Sequence, residues 1–169
     1  PSGFVGGKLL SDKENRAGFL RYEVKNYFDA SAFAVFVKRG DDFGHVEVPV
    51  AGVTEYHTIN RFLSDAYCDI LNPRVTDLFI EETHEKYYAR FKKSFGKEFA
   101  GFFTDEPQYY RYETPVSAVC EDEFYKAYGE NLKDGLVWLF VQSEKGYPFR
   151  IKDYNLINKL YCENYYKRL

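Results

Sequence analysis

The chain has 169 residues, a formal net charge of −3 and charged residues of mixed sign throughout. That length suits one domain with a real core. The charge gives no basis for an electrostatic nucleic-acid binder, and no apolar run approaches the roughly 18 residues a membrane span needs.

The chain begins at Pro1 and contains no methionine, so it reads as a piece of a longer product. Cys68, Cys120 and Cys162 are odd in number and widely spaced. They form no metal-type pair, and scattered thiols suit a reducing compartment. Aromatics are abundant, with 16 Tyr and 16 Phe. A tyrosine offers a flat apolar face and a polar tip, as a sugar-binding surface would, but core packing uses the same residues.

Pro1–Gly7 holds three glycines and reads as a loop. It has no GxGxxG and no Walker lysine, so it makes a poor phosphate cradle. From Phe19 to Phe28, Leu20, Tyr22 and Val24 alternate with Arg21, Glu23 and Lys25, predicting a half-buried strand. Ala30–Lys38 is a second, more apolar strand, and Arg39–Gly44 is a turn. Val46, Val48 and Val50 alternate again, with Pro49 pointing to an edge. Residues 19–62 thus read as a small antiparallel insertion. His45 and His57 lack ligand-like spacing and read as surface or structural histidines.

Ala66–Leu71 predicts another short strand. Asn72 is a good N-cap and Pro73 suits a first helical turn, so a helix is expected from there to about Phe95, with Gly96 as its left-handed stop. Phe79, Ile80, Thr83, Tyr87 and Phe91 fall on one side at helical spacing and read as a core stripe. A zinc HExxH pattern starting at His84 fails, because position 88 is Tyr88. His84 reads as a hydrogen-bonded packing residue.

Phe99–Pro107 is an apolar run ending in two acids and a proline. Such a run suits a strand buried on both faces, as in a parallel sheet. Pro107 ends it, leaving Asp105 and Glu106 at the carboxyl lip, where α/β folds place their chemistry. Strand, helix and strand make a parallel βαβ unit. Tyr109, Tyr110 and Tyr112 follow in a loop. Ser117 is expected to cap a helix that Gly129 stops; a short helix covers Lys133–Val141, and a last one runs from about Ile151 to Leu169.

Several stretches together resemble a family of bacterial glycoside hydrolases, the α-L-rhamnosidase-like, family-106-type enzymes. They are Asp69-Ile-Leu-Asn-Pro73, Phe79-Ile80, Thr83-His-Glu-Lys-Tyr87, Phe95-Gly96, Phe103-Thr-Asp-Glu-Pro107, Thr114-Pro115 and Phe124–Gly129. The opening Pro-Ser-Gly-Phe-Val-Gly-Gly is similar to that family's Pro-Ser-Gly-x-Ala-Gly-Gly loop. The pattern covers residues 1–10 and 64–169. It implies an α/β fold of partial (β/α)8-barrel-like βα units, with residues 19–62 as the antiparallel insertion. The whole chain would then be a single partial catalytic domain, with the remaining barrel segments in the parent protein. The resemblance suggests a secreted or periplasmic enzyme, while the cysteines also suit a cytoplasmic one. It is compatible with calcium, although no calcium-loop spacing assigns ligands and no other cofactor is expected.

The expected partner is a carbohydrate substrate. Glycosidases usually set two carboxyl groups across the scissile bond. Adjacent strand residues point to opposite sides, so Asp105 and Glu106 are a poor pair. Glu106 resembles the strand-end glutamate of many barrel glycosidases and is taken as the general acid. Asp105 would hydrogen-bond a sugar hydroxyl or hold the glutamate in place. Asp69 and Asn72 would contact substrate, and Tyr109 or Tyr110 would stack on a sugar ring. The alternative is a non-catalytic carbohydrate-binding or structural fragment derived from such an enzyme.

Overall fold

A computed structural model describes residues 9–101 and 113–169. Five strands organise them: β1 (Arg16–Lys25), β2 (Ala34–Arg39), β3 (Asp42–His45), β4 (Tyr56–Cys68) and β5 (Thr114–Val116). They form one mixed α/β architecture with a sheet in the order β3-β2-β4-β1-β5, and every named strand pair is antiparallel. The antiparallel pairing expected for residues 19–62 is present, and the sheet reaches beyond those bounds. It takes in Arg16–Cys68 and recruits β5 from far along the chain.

The alternation along β1 is realised: Leu20 is buried, Tyr22 is half-buried and Arg21 is exposed. Val24 lies past the covering layer and is exposed. β2 is buried on both faces, through Ala34 and Phe36 on one side and Val35 and Val37 on the other. That explains its lack of polar alternation. The second face is covered by the segment carrying Val46, Val50 and Val53. This segment is not the strand its alternation predicted. β3 ends at His45, Pro49 has no N–H to donate, and the Tyr56 hydroxyl instead pins Val50 through its backbone N–H and C=O. The β2–β3 hairpin turns at Gly40, whose φ of 63° suits the tight loop.

The expected separate strand at Ala66–Leu71 is the end of β4. Its register against β1 jumps between Arg16↔Cys68 and Gly18↔Leu63. Ser64 Oγ accepts the backbone N–H groups of Ala66 and Tyr67 there, at 3.1 Å each, so the local side chain replaces ladder bonds. The chain then turns at Asp69, whose carbonyl accepts the Asn72 N–H. Of the expected central strand, Phe99–Gly101 joins no named strand. Phe99 stacks on Phe95, with ring centroids 4.6 Å apart, and the remainder lies outside the described residues.

Asn72 caps α1 (Pro73–Ile80) as expected, its Oδ1 accepting the Arg74 N–H at 3.1 Å. The predicted long helix is broken, however. A π-helical turn over Glu81–Glu85 separates α1 from α2 (Lys86–Phe91), and a 3-10 turn follows before Gly96 (φ 74°). The Thr83 hydroxyl donates to the Phe79 carbonyl in the widened turn, a back-bond that competes with the helical ladder. The apolar stripe here is not core: Phe79, Ile80 and Thr83 are half-buried, and Tyr87 and Phe91 are exposed. His84 packs edge-on against Phe79 and bonds Thr83.

The core lies between the helical face of the sheet and three elements from the second half of the chain. These are α3 (Cys120–Tyr128), a 3-10 stretch over Leu132–Leu139, and α4 (Tyr147–Tyr161). The Lys133–Val141 helix is therefore 3-10, capped by Asn131. The last helix starts at Tyr147, ahead of the expected Ile151, with Pro148 in its first turn, and it passes into a π-helical turn over Cys162–Tyr166. Phe124, Leu136 and Leu156 meet Leu20, Phe36 and Ile59 across this layer. Truncating Phe124 to alanine would cost about 3–5 kcal/mol by transfer and cavity terms. Gly129 (φ 66°) closes α3 as expected.

Candidate functional site

The described surface that collects expected site residues is the corner where β4 exits, β1 begins and α1 starts. Residue pairing along β1 and β4 puts Arg61 opposite Leu20 and Leu63 opposite Gly18. Period-2 alternation then places Ile59, Arg61 and Leu63 on one face of β4. Ile59 is fully buried, whereas Arg61 and Leu63 are exposed, so the helical layer stops short of them. A groove of about 540 Å³ occupies that step, lined by Lys13, Glu14, Arg61, Leu63, Asn72, Arg74 and Ala118. Its size falls within the roughly 300–1,000 Å³ of small-ligand sites.

Asn72 thus reaches the groove while also capping α1. Asp69 does not line it. Asp69 is 1% exposed, its N–H donates to the Asn15 carbonyl at 2.8 Å, and its carbonyl accepts from the Asn72 N–H at 3.0 Å. Its Oδ2 accepts the Ser117 hydroxyl at 2.6 Å. A buried carboxylate needs such donors to remain in place. Ser117, expected as the cap of a helix, instead spends its proton on Asp69, and α3 begins only at Cys120. Its oxygen still accepts the Val119 N–H at 3.3 Å. Cys120 is sealed behind this pair, with Sγ accepting the Ser117 N–H at 3.3 Å. Burial pushes its thiol up to about 12, which makes it a packing residue rather than a nucleophile.

Among the described residues, three cations and one acid line the groove. Arg74 pairs with Glu14 at 3.2 Å. Among the described residues, neither Arg61 nor Lys13 has an acidic partner within ion-pair distance. Arg61 lies against β1 where Gly18 has no side chain, and a Cβ at Gly18 would sit 2.9 Å from its Nε. Sequence reasoning missed Arg61, Lys13 and Arg74. They come from three separate segments, and nothing local marks them as neighbours.

Asp105, Glu106, Tyr109 and Tyr110 lie outside the described residues. Among the described residues, no three His, Cys, Asp or Glu side chains form a group that could hold a metal ion.

A second polar node sits under the 3-10 stretch. The Tyr22 hydroxyl meets His57 Nδ1 at 2.5 Å, and Nε2 lies 3.4 Å from Glu55. Phe43 packs edge-on against the His57 ring and against Trp138, while Phe140 stacks on Tyr22. Burial depresses the His57 pKa and raises that of Tyr22. The node reads as structural: Tyr22 engages Nδ1, while the buried Nε2 makes no hydrogen bond among the described residues and has only the ion contact with Glu55.

No family model matches this chain, and neither does any curated protein or solved structure.

Proposed function

We propose that this chain is a partial catalytic domain of a glycoside hydrolase acting on plant or bacterial oligo- or polysaccharide, with α-L-rhamnosides as the first substrates to try. Glu106 is the general acid and Asp105 holds it or binds a sugar hydroxyl. Tyr109 and Tyr110 stack on sugar rings, and Asn72 contributes an amide from the groove wall. Asp69 acts through position, by fixing the turn that presents Asn72. In the finer fold proposal, Phe99–Pro107 is one strand of a (β/α)8 barrel, completed by segments of the parent protein.

The observation that carries this reading is the groove of about 540 Å³ with Asn72 in its wall, beside the Asp69–Ser117 pair. It adds to the resemblance of the Asp69–Pro73 and Phe103–Pro107 stretches to rhamnosidase-like enzymes. The test is hydrolysis of aryl glycosides and oligosaccharides by the chain, alone and with the rest of its parent. Glu106→Gln should lower turnover by about 10²–10⁴-fold while leaving binding intact. Unchanged turnover in that variant would remove Glu106 from the mechanism.

The binding-module reading rests on a different observation. Among the described residues, Glu14 is the acid lining the groove, and it is already paired with Arg74. A groove without two free carboxyl groups holds a sugar without cleaving it. Saccharide binding with no hydrolysis by either the chain or its parent would select this alternative.

A further inference from the structure

We infer that the groove between β4 and α1 selects an acidic saccharide, one bearing a carboxylate or a sulfate. The inference rests on the carbohydrate reading above and names the ligand class that reading leaves open.

The described lining carries three cations against one acid, in a chain whose net charge is −3. Glu14 offsets Arg74, which leaves Arg61 and Lys13 without acidic partners among the described residues. Single cations without an ion pair among the described residues are ordinary on this surface, as with Lys38, Lys145 and Lys159, so the signal is their convergence in one groove. Three cations against one acid among the described lining residues of a concave surface favour an anion there.

Arg61 is placed for this role. Gly18 leaves room for its side chain against β1, and a Cβ at that position would sit 2.9 Å from its Nε. Its guanidinium offers a planar fork to a carboxylate or sulfate. Lys13 adds a compact charge from another segment. Leu63 and Ala118 offer apolar surface for a sugar ring's C–H face. The Asn72 Oδ1 is occupied by the Arg74 N–H, which leaves its amide NH₂ to donate to a hydroxyl. Charge, apolar wall and amide together suit an anionic sugar better than a bare inorganic anion.

The experiment is calorimetric titration of the 169-residue chain with four probes: a hexuronate trisaccharide, a sulfated galactose oligosaccharide, neutral galactotriose and inorganic phosphate. The acidic sugars should bind at least about tenfold more tightly than galactotriose, and added salt should weaken them selectively. Which acidic sugar binds better identifies carboxylate or sulfate. Arg61→Gln and Lys13→Gln should each weaken the acidic sugar about tenfold without changing galactotriose binding, and Arg61→Lys should recover part of the loss. Arg61 is exposed, so these variants should keep the parental melting temperature. Equal affinity for acidic and neutral sugars, or indifference to both cation variants, would overturn the inference and leave the carbohydrate reading standing. Phosphate binding as tight as either acidic sugar would also overturn it, as a general anion site. No binding to any sugar, joined to no hydrolysis by the chain or its parent, would remove both readings.

Discussion

Ser117 Oγ donates a 2.6 Å hydrogen bond to the Asp69 carboxylate, and both side chains are sealed from solvent. The bond joins the segment after β5 to the turn after β4, across 48 residues of sequence. It holds the groove wall from behind, because the same turn presents Asn72.

Ser117→Ala removes a donor from a buried acid without creating a large void. Stability should fall by about 1–3 kcal/mol, the cost of weakening the solvation of a buried polar group. Urea denaturation followed by circular dichroism measures it. A variant as stable as the parent would show that the remaining partners of Asp69 suffice.

Gly18→Ala tests the close approach of β1 and β5. A Cβ there would lie 2.5 Å from the Val116 carbonyl oxygen and 2.9 Å from Arg61 Nε. Arg61 can swing aside, but the backbone oxygen cannot move without opening the β1–β5 ladder. The expected loss is about 1–3 kcal/mol, as for other overpacked sites. Amide exchange should quicken at Thr114–Val116 first, and a loss spread evenly over the sheet would contradict this account.

Asp153 gives the fold a pH dependence of defined sign. It shares a helical face with Phe149, Leu156, Ile157 and Leu160, and burial raises its carboxyl to about 7. The folded state therefore holds its proton more tightly than the unfolded chain does. That stabilisation is full below the ordinary carboxyl pKa of 3.8 and is lost as pH rises through about 7. Asp153→Asn removes the ionisation, so the variant should gain melting temperature relative to the parent between pH 5 and 8. A parallel pair of pH profiles would exclude Asp153 as the source.

His57 acts in the opposite sense. Burial holds its pKa below 6.5, so the stability it contributes is present above that pH and lost as pH falls through its folded value. Titration of its ring protons by NMR should give a midpoint below 6.5. Tyr22→Phe strips Nδ1 of its partner and should cost about 1–3 kcal/mol at neutral pH. A midpoint at or above 6.5 would mean that Glu55 outweighs burial.

Sequence by itself determined the features that depend on a few neighbouring residues. The alternation in β1, the apolar character of β2, the Gly40 turn, the Asn72–Pro73 helix start and the Gly96 and Gly129 stops all follow from local sterics and side-chain period. The tertiary structure decided which strands pair. An apolar run records that a segment is buried, not which neighbour covers it, so Ala66–Cys68 became the end of a long β4 paired antiparallel with β1 rather than a short separate strand. It likewise decided that the Ser117 hydroxyl proton goes to Asp69 while its oxygen takes the Val119 N–H, and that Lys13, Arg61 and Asn72 share one groove. Each of these joins residues distant along the chain, and only the packing of β1, β4, β5 and α1 brings them within reach.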